Sequence, residues 1–165
     1  MIQLKHVLVA TDFSDASAVA LSYGRELART FGATLHVVHA VDLLAARIPM
    51  AQGHGYDVER LQKDVETSAR EATAKLLTDE DRQTLHAQDA VIAALNPSDA
   101  VIDYAQDKRI DIIVIGTHGR AGLSRLVMGS VAEKIVRTAP CPVLTVRQPE
   151  REFLRPDALE AVKKV

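Results

Sequence analysis

The stretch from residue 116 to residue 130 contains the residues whose types and spacing point most clearly to chemistry. It reads Gly-Thr-His-Gly-Arg-Ala-Gly-Leu-Ser-Arg-Leu-Val-Met-Gly-Ser, after an apolar run that ends at Ile115 and before a helix-like run that begins at Val131. A glycine-rich loop between a strand and a helix turns backbone N–H groups toward an anion, and the positive end of the helix dipole favours negative charge there. The segment therefore predicts a nucleotide phosphate site.

Four positions in this segment supply the phosphate-binding features. Gly116 and Gly119 lack a Cβ, so the loop can adopt positive φ and admit a phosphate close to its backbone. Gly129 and Ser130 offer amides and a hydroxyl at the helix start. Glycines after a strand also occur in ordinary turns, and a lone G-x-x-G would favour that interpretation. The longer spacing and the Gly-Ser pair favour the phosphate site.

The full spacing, G-x2-G-x9-G-S, resembles the ATP-binding signature of the universal stress protein family. Three further stretches match that family in the same order along the chain, at residues 5–14, 39–42 and 140–146. Together the matches extend from about residue 2 to residue 147. The resemblance implies an adenine nucleotide alpha hydrolase-like fold with strand order 3-2-1-4-5.

The resemblance also assigns positions to parts of an adenine nucleotide. It places Ala10, Thr11 and Asp12 beside the adenine and Ala40 near the ribose, and it surrounds the phosphates with Gly116, Gly119, Gly129, Ser130 and Val131. Ile115 ends the strand before the loop and is expected to line the same crevice. Arg120 would offer a bidentate fork to phosphate oxygens, although a solvated loop arginine is the plainer alternative. Asp12 has an alternative role as well, as a structural cap for the helix that starts near Ser14.

Apolar runs alternate with amphipathic stretches along the chain, which predicts an α/β fold. We expect one open, parallel, five-stranded sheet with helices on both faces. The strands are predicted at residues 7–10, 34–41, 87–93, 111–115 and 142–147. Four helices are predicted, from Ser14 to Phe31, over residues 57–77, from Ser98 as N-cap to Lys108, and over residues 131–137. In the order 3-2-1-4-5 the first and fourth strands are neighbours, and ligands bind at the carboxyl ends of strands at such a point.

Composition bounds the class of protein. The 165 residues are 47% hydrophobic and 25% charged, with a formal net charge of −2, which fits one domain with a sizeable core. We expect a domain at residues 1–147 and a tail or short helix at residues 148–165. The balanced charge favours neither nucleic acid nor an anionic membrane as a partner. No run approaches the length of a membrane span, so we expect a cytoplasmic protein.

Other reactive side chains give weaker signals. His118 lies in the glycine-rich loop without a recognisable catalytic partner. His36 and His39 are three apart in a strand, so they face opposite sides and cannot chelate one metal. Cys141 is the single cysteine and is expected to be a small apolar core group. The sequence therefore predicts no catalytic residue and no metal site of its own.

The predicted function is that of an adenine-nucleotide binding module. The resemblance implies ATP, with Mg²⁺ as a possible companion, acting on conformation or assembly in a stress response. A slow ATPase or adenylyl-transferring enzyme on the same crevice is one alternative, and a dimeric signalling protein without nucleotide is another. The chain lacks a G-x-x-x-x-G-K-[ST] loop, which favours binding over turnover. The apolar last strand, residues 142–147, is predicted to lie at a sheet edge and to form a homodimer.

Overall fold

A parallel five-stranded sheet organises the part of the chain that the computed structural model describes, namely residues 1–43, 58–117 and 128–147. The strands are β1 (His6–Ala10), β2 (Thr34–Asp42), β3 (Gln88–Ala94), β4 (Ile112–Gly116) and β5 (Val143–Val146). The helices are α1 (Asp15–Phe31), α2 (Val58–Leu76), α3 (Asp79–Thr84), α4 (Pro97–Asp107) and α5 (Ser130–Thr138). No helix within these ranges is both long enough and apolar enough to cross a membrane.

The strand order is β3-β2-β1-β4-β5, with every neighbouring pair parallel, which confirms the predicted topology. β1 is therefore central, between β2 and β4. Its last residue, Ala10, is paired with Val38 on one side and with Ile115 on the other. The connections from β1 and β4 leave in opposite directions, so a crevice opens at the carboxyl ends of these two strands.

Both faces of the sheet are buried, because alternate residues of each central strand point to opposite sides. Val7 and Val9 belong to one apolar cluster, which includes the buried face of α1. Leu8 and Ala10 belong to a second cluster, which includes buried residues of α4 and α5. These two layers enclose β1 on both faces and fix where its carboxyl end lies.

The boundaries of α1 follow the signals read from the sequence. Ser14 is the N-cap, and its hydroxyl accepts a hydrogen bond from the Ser17 N–H at 3.3 Å. Gly32 ends the helix with a left-handed φ of 63°, a conformation that glycine adopts without steric cost. The helix that leaves β1 is thus held at both ends.

Two helix predictions need correction. The N-cap of α4 is Asn96 and not Ser98, because Pro97 already occupies the first turn, where its missing N–H costs nothing. The Ser98 hydroxyl lies inside the helix and donates to Asn96 Oδ1 at 2.8 Å. The sequence reading also missed α3, a six-residue helix with a capping box formed by Thr78 and Asp81.

Candidate functional site

A cleft of about 520 Å³ opens where the carboxyl ends of β1 and β4 meet the start of α5. Nine of the residues predicted for the site lie in its wall, and they are Ala10, Thr11, Asp12, Ala40, Ile115, Gly116, Gly129, Ser130 and Val131. Residues that are more than a hundred positions apart in sequence are thus brought together. The remaining two predicted residues, Gly119 and Arg120, lie outside the described residues, as does His118.

Asp12 lies just past the end of β1 and is tied to the start of α1. Its Oδ1 accepts hydrogen bonds from the Ser14 N–H at 3.0 Å and from the Ser14 hydroxyl at 2.5 Å. Ser14 in turn caps α1, so Asp12 does support the helix start, as the structural alternative requires. Asp12 also lines the cleft, so the same carboxylate is held at the position predicted for ligand contact.

Thr11 connects the end of β1 to β2 and to the start of α1. Its N–H donates to Val38 O at 2.9 Å, which extends the pairing with β2 beyond the end of β1. Its hydroxyl lies 3.1 Å from the Ser17 hydroxyl and accepts from the Phe13 N–H at 3.1 Å. Thr11 is buried in the wall of the cleft, and its hydroxyl holds the turn that follows β1.

Gly116 is needed for a reason that differs from the predicted one. Among the described residues the one glycine with positive φ is Gly32, so Gly116 does not provide a left-handed turn. A Cβ at Gly116 would instead lie 2.9 Å from the carbonyl carbon of Ala16 and 3.0 Å from its Cβ. Glycine at this position lets α1 pack directly against the end of β4.

Gly129 is the N-cap of α5, with φ −61° and ψ 144°. Its N–H is not available to a ligand as predicted, because it donates to Thr117 O at 2.8 Å. Gly129 has no side chain with which to cap the helix, so it offers the amides of the first turn no N-cap acceptor. Ser130 and Val131 in that turn are exposed and line the cleft.

Thr117 holds the start of α5 against the sheet, and the sequence reading missed it. Its N–H donates to Val146 O at 2.8 Å, and its hydroxyl approaches the same oxygen at 3.2 Å. The Thr117 carbonyl receives the Gly129 N–H described above. Thr117 therefore links β4, β5 and the N-terminus of α5, which places that N-terminus over the cleft.

The cleft has an apolar floor, of which Ala40 was predicted from the sequence and the other residues were not. Val38 and Ala40 of β2 lie on the same face of the sheet, and Pro97 and Val101 of α4 also line the cleft. The alternation of Val38, Ala40 and Asp42 along β2 was the available signal. A flat apolar ligand fits such a floor, because its burial removes apolar surface from water.

Charge is distributed unevenly along the cleft. Among its described lining residues the charged side chains are Asp12 and Asp42, at the ends of β1 and β2. The N-terminus of α5 lies on the β4 side and carries the positive end of a helix dipole. One end of the cleft can thus accept hydrogen bonds from a ligand, whereas the other end attracts an anion.

The chain is similar to a known protein family over most of its length. A model of the universal stress protein family matches residues 3–147, which is most of the chain. The chain belongs to the universal stress protein family. This assignment confirms the resemblance read from the glycine spacing and the three accompanying stretches.

Individual universal stress proteins show how extensive the similarity is. The chain is 34% identical over 144 residues to one from Thermus aquaticus, covering 87% of this chain and 98% of that protein. It is 30% identical over 148 residues to one from Methanocaldococcus jannaschii, covering 90% of this chain and 85% of that protein. A solved universal stress protein from Archaeoglobus fulgidus in complex with dAMP is 25% identical, with a TM-score of 0.60 and coverage of 88% of this chain and 99% of that chain.

His36 of this universal stress protein makes contacts away from the cleft. His36 is buried between His6 and Tyr104, with ring nitrogens 3.2 Å from His6 Nδ1 and 3.0 Å from the Tyr104 hydroxyl. Burial, followed by the charges of His6 and Lys108, lowers the pKa of His36 to about 4. Within the described ranges no three His, Cys, Asp or Glu side chains come together as a metal site would require.

Cys141 packs at the edge of the second apolar cluster. Burial, and then the charge of Asp111, raises the pKa of its thiol. A thiol in such surroundings is a poor nucleophile, because the thiolate is the reactive form. The side chain therefore behaves as the small apolar group predicted from the sequence.

Proposed function

We propose that this chain binds adenine nucleotides in the cleft between β1 and β4, with ATP as the ligand and Mg²⁺ as its companion. The observation that carries the proposal is the pairing of two features in one cleft. An apolar floor with carboxylates lies at one end, and the N-terminus of α5, whose N-cap is Gly129, lies at the other. A nucleotide has the matching polarity, with a flat base at one end and phosphates at the other.

The base and ribose are proposed to occupy the end formed by β1 and β2. Asp12 is held there by Ser14, and its carboxylate is an acceptor for an amino or hydroxyl group of the ligand. Ala40 and Val101 offer apolar contact for the ring. The dAMP complex of the Archaeoglobus fulgidus relative supports an adenine nucleotide as the ligand class.

The phosphates are proposed to lie against Ser130 and Val131 at the start of α5. Helix N-termini bind phosphate through backbone N–H groups and the helix dipole. Gly116 and Gly129 line this end of the cleft without side chains. Gly119 and Arg120 are proposed to complete the phosphate site from the adjoining loop.

We further propose binding as the activity, in a cytoplasmic stress response, with nucleotide shifting conformation or assembly. The sequence has no phosphate-loop lysine of the G-x-x-x-x-G-K-[ST] type, which fast phosphoryl transfer by that class of enzyme requires. A slow ATPase or adenylyl-transferring enzyme on the same cleft is the alternative that a turnover assay tests.

Calorimetric titration of the purified protein with ATP, ADP, AMP and GTP, with and without Mg²⁺, tests the proposal. We expect saturable binding of the adenine nucleotides and weaker binding of GTP. Chromatography of whatever ligand is released on denaturation identifies the nucleotide that copurifies. No saturable binding of any adenine nucleotide at millimolar concentration would contradict the proposal.

A homodimer through β5 is proposed as the assembly state, with residues 1–147 as the domain and residues 148–165 as a tail. β5 lies at the sheet edge beyond β4, and Val143, Leu144 and Thr145 are half-buried. An apolar edge strand of this kind pairs readily with a second chain. Two copies of β5 would then pair antiparallel about a two-fold axis.

The register of β5 allows a selective test of the dimer. The carbonyls of Pro142 and Val146 accept hydrogen bonds from Ile113 N–H and Thr117 N–H, so these residues face β4. By alternation, the N–H of Thr145 points away from β4. Thr145→Pro should therefore disrupt pairing between copies without removing a bond to β4.

Light scattering on the wild type, Thr145→Pro and the control Thr145→Ala measures the assembly state. We expect a dimer mass for the wild type and the alanine variant, and a shift toward monomer for the proline variant. A wild-type protein that is monomeric at micromolar concentration would exclude this interface.

A further inference from the structure

His39 contacts the loop that carries Asp12, although it does not line the cleft. His39 lies near the end of β2, on the same face of the sheet as Val37. Val38 and Ala40 lie on the opposite face, which lines the cleft. The Nδ1 atom of His39 lies 2.8 Å from Thr11 O. A carbonyl oxygen only accepts hydrogen bonds, so His39 Nδ1 carries the proton and donates it.

The same imidazole also contacts the residue after Asp12. The rings of Phe13 and His39 have centroids 4.4 Å apart and are inclined at 40°. Phe13 has a φ of 64°, in the left-handed region that residues with a Cβ rarely adopt. Contacts from outside the turn must therefore hold Phe13 in this conformation.

The two contacts of His39 flank Asp12 on either side. The bond to Thr11 O fixes the peptide plane between Thr11 and Asp12, because that unit is planar. The ring contact fixes Phe13, and the Phe13 N–H returns to the Thr11 hydroxyl at 3.1 Å. With both neighbours held, the backbone from which the Asp12 side chain extends is fixed before any ligand arrives.

We propose that His39 is a positioning residue of the nucleotide site, which holds the turn at residues 11–13 in the conformation that presents Asp12 to the ligand. This inference rests on the proposed function for the identity of the ligand. It assigns His39 no contact with nucleotide and no proton transfer. Its effect on affinity arises from preorganisation, since a turn that is already ordered loses less freedom on binding.

Three variants test the role of His39 in nucleotide affinity. His39→Leu removes the donor but retains apolar bulk against Phe13, whereas His39→Asn places an amide N–H near the position of Nδ1. His36→Leu is the matched control, because His36 is in the same strand and contacts His6 and Tyr104 instead. We expect His39→Leu to raise the Kd for ATP roughly three- to tenfold, the usual scale of one hydrogen bond.

Two comparisons distinguish a positioning role of His39 from general destabilisation, namely the recovery of affinity in His39→Asn and the relative loss of ATP and AMP affinity. His39→Asn should recover most of the lost affinity, and His36→Leu should lower stability but leave the Kd of the folded protein unchanged. The factor lost in His39→Leu should be equal for ATP and AMP, because His39 acts at the end of the cleft proposed for the base. Equal Kd values for His39→Leu and the wild type would overturn the inference while leaving the proposed function intact.

Amide hydrogen exchange in the ligand-free protein tests the inference without nucleotide. The N–H groups of Phe13 and Ser14 donate to side chains within the turn, so their exchange rates report its order. We expect both rates to rise in His39→Leu and to return toward wild type in His39→Asn. Unchanged rates in His39→Leu would overturn the positioning role, whether or not the wild type binds ATP.

Discussion

Alanine substitutions at Gly116 and Gly129 should affect different properties, mainly stability at Gly116 and mainly ATP affinity at Gly129, although both glycines line the cleft. At Gly116 an added Cβ would lie 2.9 Å from the carbonyl carbon of Ala16 and 3.1 Å from its oxygen. These are backbone atoms of α1, so relief requires the helix to move away from β4. We expect Gly116→Ala to lower the free energy of unfolding by about 1–3 kcal/mol. For a protein of this size each kcal/mol corresponds to a decrease of roughly 2–4 °C in Tm.

Gly129 has room for a methyl group and no backbone strain. An added Cβ would meet Thr117 O at 3.6 Å, an ordinary van der Waals contact, and the φ of −61° suits any residue. Alanine is a poorer N-cap than glycine by less than about 1 kcal/mol, which bounds the expected loss of stability. The methyl group would lie in the wall where the phosphates are proposed. We therefore expect Gly129→Ala to weaken ATP binding about tenfold, or about 1.4 kcal/mol, and Gly129→Val to weaken it further.

Urea unfolding followed by circular dichroism gives the stability of each variant, and calorimetric titration gives its Kd for ATP. Both titrations are carried out at a temperature where the variants are fully folded. ATP binding by Gly129→Ala that is as tight as in the wild type would contradict a phosphate site beside Gly129. A Gly116→Ala variant as stable as the wild type would show that the contact with α1 does not require glycine.

Three further predictions concern pH dependence, a buried ion pair and turnover. The pKa of His36 is about 4 in the folded protein and about 6.5 when unfolded, so the unfolded state binds more protons between these pH values. The free energy of unfolding should therefore fall as the pH decreases from about 6.5 toward 4. Urea unfolding at several pH values measures how the free energy of unfolding depends on pH. We expect that slope to be smaller by up to about 1.4 kcal/mol per pH unit in His36→Phe than in the wild type, and equal slopes would contradict the lowered pKa of His36. Arg25 Nε and Nη2 donate to both oxygens of buried Asp81 at 2.9–3.1 Å, so Asp81→Asn should cost about 3–5 kcal/mol by leaving a buried cation unpaired, and Arg25→Met should recover part of that loss in the double variant. Single-turnover ATP hydrolysis with Mg²⁺ should be far slower than the roughly 1–100 s⁻¹ of kinases, whereas a rate in that range that is lost in Asp12→Asn would identify an enzyme.

Local signals in the sequence were sufficient to predict the strands and most of the helices, whereas the strand order was implied by the family resemblance. Each central strand is a short apolar run, as burial on both faces requires, and the α1 boundaries were given by Ser14 and Gly32. α3 was missed because its six residues, Asp79–Thr84, are mostly polar and show no helical periodicity. It is held by Asp81, which accepts from Arg25 of α1, a contact 56 residues away in sequence. Burial raises the pKa of Asp81, but the hydrogen bonds from Arg25 and the Thr78 N–H outweigh burial and lower it overall.

Most residues of the candidate site were named from the sequence, but the structural role of some of them was not predicted correctly. The Gly-Ser pair at residues 129–130 marked the start of α5, which begins at Ser130, one residue before the predicted start. The reason for Gly116 was wrong, because its close approach to Ala16 depends on how α1 lies across β4. Pro97 and Val101 were not predicted, because tertiary packing brings α4 to the cleft. The alternation along β2 could have indicated Val38 beside the predicted Ala40, whereas no local pattern indicates the contacts of α4.

The central claim is that adenine nucleotide binds at the carboxyl ends of β1 and β4, and an NMR titration of the ¹⁵N-labelled protein with ATP tests it most directly. We predict saturable amide shift changes that concentrate at Asp12, Gly116, Ser130 and Val131, with little change at His6, near the opposite end of the sheet. Absence of saturable shifts at millimolar ATP, or shifts concentrated away from the cleft, would contradict the account.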